Sequence, residues 1–183
     1  MPPIHPSAAA NIGNPNSMPA FLALALMLTV AVYIEMKERR IPNWLTLSGM
    51  AMGLLIAYLQ GTLALYSSIG GLIIGFGFLF IFYVFGGVGG GDVKLMGAAG
   101  ALMGSALIKP ALVYTSFIGA FLAIMMILWR KDFWLRVAWG LKKLAFWRKG
   151  DEAQLSPGEA VAVPYGLAIA LGCLLALLFG SAV

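Results

Sequence analysis

Histidine and cysteine are nearly missing from this chain. Among 183 residues there is one of each, His5 and Cys173. A lone cysteine forms no intrachain disulfide and no Cys-x-x-Cys zinc or redox site. A lone histidine in a polar N-terminal stretch builds neither a Ser-His-Asp triad nor a histidine-based metal centre. No His-Glu-x-x-His pair and no Gly-x-Ser-x-Gly elbow occurs. Charge is scarce as well: 10% of residues are charged, against about 25% in a soluble domain. No basic tract interleaved with stacking aromatics is present, so a nucleic-acid partner is not expected.

What the chain has is apolar surface. Hydrophobic residues make up 61% of it and the mean hydropathy is +0.93, which places it in a membrane. A helix needs about 20 apolar residues to cross the hydrocarbon. Six segments meet that need: 19–36, 44–60, 66–85, 92–108, 110–129 and 160–182. The expected fold is therefore all-α, a polytopic membrane protein of about six transmembrane helices. Gly49/Gly53, Gly71/Gly75 and Gly100/Gly104 are Gly-x-x-x-Gly pairs that permit close helix contact.

Basic residues give the orientation. In a six-span model every Lys and Arg except Lys109 falls on one side, which the positive-inside rule makes cytoplasmic. Both termini then face away from the cytoplasm. Residues 1–18 read as a disordered, non-cytoplasmic tail, and 19–183 as one six-helix membrane domain. Within it, 130–159 form a basic cytoplasmic connection. Trp134, Val137, Ala138, Leu141, Leu144 and Ala145 recur there at helical spacing with Lys and Arg around them, the pattern of an amphipathic helix on an anionic inner leaflet.

Seven acids remain to be assigned. Asp132, Asp151, Glu152 and Glu159 lie in or beside the long connection, where solvated charge is ordinary. Glu38 sits among Lys37, Arg39 and Arg40. That leaves Glu35, at the cytoplasmic end of the first span, and Asp92, at the start of the fourth. A carboxylate at a membrane boundary is a functional candidate, and two of them at one depth can share a proton and activate water. The plainer readings are that Asp92 caps a helix and that Glu35 reaches into the headgroups. The run Gly86–Gly91 fits neither a dinucleotide fingerprint nor a phosphate loop. It offers backbone freedom and close approach.

Gly89-Gly90-Gly91-Asp92, followed by Val93-Lys94-Leu95-Met96, resembles the Gly-x-Gly-Asp motif of type IV prepilin peptidases. Arg39-Arg40-Ile41-Pro42-Asn43-Trp44-Leu45-Thr46 resembles the segment that follows that family's first catalytic acid. Val163-Pro164-Tyr165-Gly166-Leu167-Ala168-Ile169-Ala170 resembles its Pro-Tyr-Gly segment. The resemblance implies an intramembrane aspartic endopeptidase that removes the basic leader from prepilins or pseudopilins, with no metal or organic cofactor. It makes Asp92 the second catalytic acid and puts Glu35 at the position of the first. Gly89 and Gly91 would form the active-site loop. Arg40, Pro42, Asn43 and Lys94 would support it, with topology-setting charge the simpler role for Arg40 and Lys94.

Two departures accompany the resemblance. The family has aspartate where this chain has Glu35, so a working variant, a weak enzyme and an inactive relative are all open. A displacement of about 1 Å in a catalytic group can cost about 100-fold in rate. The cysteine-paired region of larger members has no counterpart among these residues, which points to a short, cleavage-only form as in Flp or tight-adherence pilus systems. Two other classes stand beside the peptidase: a transporter or channel using the acids as ion or proton sites, and a non-catalytic pilus-assembly factor.

Overall fold

The computed structural model describes residues 18–85, 87–129 and 165–179. Five helices account for nearly all of them: α1, Met18–Glu38; α2, Asn43–Gln60; α3, Thr62–Val84; α4, Gly90–Trp129; and α5, Tyr165–Phe179. Among the described residues the fold is all-α, as expected. The tail before Met18, the basic connection with its amphipathic segment, and the ends of the sixth expected span lie outside the described residues.

The span count differs from six. Among the described residues, three helices are long and apolar enough to cross a membrane: α1, α3 and α4 through Met125. α2 is diluted by Asn43, Trp44, Ser48 and Gln60, and α5 contributes a shorter apolar helix. The fourth and fifth expected spans are the two parts of α4, 40 residues in all. At 1.5 Å per residue an unbroken helix of that length would run about 60 Å, twice the hydrocarbon thickness of about 30 Å. A break is required. It falls at Gly104 (φ 76°, ψ 173°) rather than at Lys109-Pro110, and Pro110 sits inside the helical stretch that follows.

Two serines of α3 stabilise this break. In an unbroken helix the Ser105 N–H would donate to the Ala101 carbonyl. Here Ser105 N–H donates to Ser67 Oγ at 3.1 Å, and Ser68 Oγ donates to the Ala101 carbonyl at 2.6 Å. Adjacent hydroxyls thus take up both halves of the missing backbone bond. Without them, buried polar groups would be orphaned where no water replaces the partner.

The N-terminal part of α4 is the centre of the bundle. Val93, Leu95, Met96, Ala98, Ala99, Ala101, Leu102 and Met103 are all buried, as expected for a helix apolar on every side. Small residues let its neighbours close on it. A methyl on Gly53 of α2 would come within 2.8 Å of the Ala101 carbonyl carbon, and one on Gly75 of α3 within 2.6 Å of the Met96 oxygen. Gly71 and Gly100 meet backbone to backbone. All three Gly-x-x-x-Gly pairs therefore lie at helix contacts or at the break.

By internal contacts the chain divides into two compact units, Met1–Gly119 with Pro164–Val183, and Ala120–Val163. Every residue of the site described next belongs to the first.

Candidate active site

α1 ends where its last turn closes. Arg39 adopts a left-handed conformation (φ 54°) and returns its N–H to the Glu35 carbonyl at 2.8 Å, a common helix stop. Ile41 follows, then Pro42, extended (φ −72°, ψ 141°), at the N-cap of α2. Its fixed φ suits the turn into α2. This short return places Ile41 against the starts of α4 and α5. A methyl on Gly91 would lie 3.1 Å from Ile41 Cβ, and one on Gly166 would lie 3.5 Å from Ile41 Cδ1.

Asp92 stands in the first turn of α4, with only 8% of its surface exposed. Gly89 donates its N–H to Asp92 Oδ2 at 3.2 Å, while the Gly89 carbonyl accepts from the N–H groups of Asp92 and Val93. That is one half of a capping box: the third helical residue reaches back to the cap. Asp92 is therefore not itself the N-cap. Gly89 must be bare for this, since a methyl on it would lie 2.9 Å from Oδ2.

Glu35 is equally enclosed, at 9% exposure. Its Oε1 accepts the N–H of Gly166, at the start of α5, at 3.2 Å. Its Oε2 is buried and has no hydrogen-bond partner. Each acid thus accepts a backbone N–H from a glycine, and each glycine lacks the β-carbon that would occupy the carboxylate's space. The two carboxyl groups are close enough to interact electrostatically, and Tyr165, half-buried, lies within electrostatic reach of Asp92. The structure therefore brings together Glu35 and Asp92, from α1 and α4.

The supporting residues divide. Lys94 Nζ donates to Asn43 Oδ1 at 2.8 Å, tying the start of α4 to the start of α2. Arg40 is exposed. The sequence reading missed Ile41, Tyr165 and Gly166 as site residues. A signal for all three was available, because each lies inside a segment that carried the family resemblance. Among the described residues, no group of three or more His, Cys, Asp or Glu could hold a metal ion.

Fold and site together define a class: a helical membrane protein with two buried carboxylates within electrostatic reach of each other, one near the end of a helix and the other at the start of another. Residues 22–124, more than half of the chain, match the type IV leader peptidase family, and the chain belongs to that family. A curated relative, the prepilin leader peptidase/N-methyltransferase of Aeromonas hydrophila, is 32% identical over 118 residues, 61% of this chain and 41% of the relative. The chain thus matches less than half of that relative's length. No solved structure matches. Both acids fall within the family-matched stretch, whereas Tyr165 and Gly166 fall beyond it.

Proposed function

We propose that this chain is an intramembrane aspartic endopeptidase that removes the basic leader of type IV prepilin-like proteins at the cytoplasmic membrane face. Glu35 and Asp92 are its catalytic residues. The observation that carries the reading is the pair itself: two buried carboxylates, far apart in sequence, within electrostatic reach of each other.

In the proposed mechanism the two carboxyl groups come close enough to share one proton, since two carboxylates about 3 Å apart do not both ionise. The ionised member takes a proton from water as that water attacks the scissile carbonyl carbon. The protonated member donates to the carbonyl oxygen. Collapse of the tetrahedral intermediate breaks the C–N bond and a proton passes to the leaving amine. The products are a leader carboxylic acid and a mature chain with a free amine. The unpartnered Oε2 of Glu35 is a place for that proton or water.

Eleven cationic side chains on one face of the membrane would set the orientation, and the amphipathic connection would rest on anionic lipid. Incubation of the reconstituted chain with a membrane-embedded prepilin, with the leader and the mature N-terminus read by mass spectrometry, tests the reading. Leader release with no proton flux through the same liposomes is expected. Flux without cleavage would instead support the transporter.

A further inference from the structure

Glu35 belongs to α1, but the group that holds it belongs to α5. Gly166 donates its N–H to Oε1 at 3.2 Å across 131 residues of sequence, and the backbone of Tyr165 and Leu167 interacts with the same carboxylate. The first N–H groups of a helix have no partner within it and carry partial positive charge. A carboxylate laid across them satisfies donors that α5 cannot satisfy internally.

The approach is close. Oε2 occupies the place where a β-carbon on Gly166 would stand, and the Glu35 carboxyl carbon would lie 3.1 Å from that β-carbon. Any side chain at 166 would push the acid off the helix end. The acid's length matters equally. An aspartate at 35 would set its carboxyl group back by one C–C bond, about 1.5 Å. That displacement takes a 3.2 Å contact out of hydrogen-bonding range.

We infer that Gly166 is a positioning residue for Glu35, and that the N-terminus of α5 fits this site to a glutamate where the resemblance leads one to expect an aspartate. The extra methylene is then not a defect: it carries the carboxylate onto the helix end. The catalytic consequence rests on the peptidase reading, whereas the contact itself does not.

Two measurements on the chain separate these. In detergent micelles, with glycine labelled by nitrogen-15, the Gly166 amide is assigned by its loss in Gly166→Ala. Its resonance is expected to move with pH in the wild type, as the accepting carboxyl group titrates, and to stay fixed in Glu35→Gln. An amide that ignores pH in the wild type, or that moves equally in Glu35→Gln, overturns the inference whether or not the protein cleaves anything.

In the cleavage assay, Gly166→Ala should lower kcat about 100-fold, the scale of a 1 Å misplacement, with KM little changed. Glu35→Asp should also be slower than wild type. Combined, the shorter acid makes room for the methyl, and the double variant should be about tenfold faster than Gly166→Ala alone. Gly172→Ala, in the same helix as Gly166, presses instead on Thr115 of α4 and should gain nothing from Glu35→Asp. A Glu35→Asp chain faster than wild type, or a double variant no faster than Gly166→Ala, overturns the inference. A wild type inert on prepilin overturns the peptidase reading and leaves the amide measurement to decide this one.

Discussion

The Lys94 ammonium donates a 2.8 Å hydrogen bond to the side-chain oxygen of Asn43. It joins the first turn of α2 to the first turn of α4, two residues past Asp92. The pair is exposed, so its contribution to stability is small, below about 1 kcal/mol. Its effect should appear in geometry. Asn43→Ala and Lys94→Ala are expected to lower kcat by a few fold each, and the double variant by no more than the larger single effect. Strictly multiplicative losses would show that the two residues act apart.

Gly89 and Gly91 both precede Asp92 but face different neighbours. A methyl on Gly89 meets the Asp92 carboxylate at 2.9 Å, and one on Gly91 meets Ile41 at 3.1 Å. Gly89→Ala should therefore reduce kcat about 100-fold while leaving the unfolding midpoint nearly unchanged. Gly91→Ala should shift the midpoint down as well, because backbone and β-carbon of Ile41 must give way. Thermal unfolding in micelles beside the cleavage rate separates the two.

The break in α4 offers a stability test independent of catalysis. Ser68→Ala leaves the Ala101 carbonyl without its 2.6 Å donor, and an unpaired buried acceptor costs about 1–3 kcal/mol. Gly104→Ala adds a β-carbon at a positive φ and 2.7 Å from Ser67 Oγ, with a comparable cost expected. Ser48→Ala removes an exposed-side hydroxyl that bonds only its own helix at Leu45 and should change little. Denaturant titration in mixed micelles reads all three.

Thr115 predicts the opposite sign. Its hydroxyl is buried without a hydrogen-bond partner and lies against Gly172. Thr115→Val keeps the shape and removes the orphaned oxygen, so stability should hold or rise by about 1 kcal/mol. A marked loss in the unfolding midpoint would mean that the hydroxyl has a partner.

The helices were legible because their signal is local. Scarce charges and apolar runs located α1, α2 and α3 within a few residues, and the same scarcity singled out Glu35 and Asp92 as the two acids at membrane boundaries. The break in α4 was misplaced because Lys109-Pro110 is the louder local signal. Gly104 wins through Ser67 and Ser68, two hydroxyls contributed by another helix, which no window along α4 reveals. The resemblance pointed at the segment around Gly166, but its contact with Glu35 was hidden for the same reason. Its partner is 131 residues away, and its value lies in the side chain it does not have. The capping reading of Asp92 was half right: the carboxylate does reach back to Gly89, but from the third helical position, within electrostatic reach of Glu35.

The central claim is that Glu35 and Asp92 hydrolyse a peptide bond together. Cleavage of a membrane-embedded prepilin by wild type, Glu35→Gln and Asp92→Asn tests it most directly. Each amide keeps the size of the acid and removes its ability to exchange a proton. Wild type should release the leader, and either amide variant should be slower by at least about 100-fold. An inert wild type, or a Glu35→Gln chain that cuts as fast as wild type, would contradict the account.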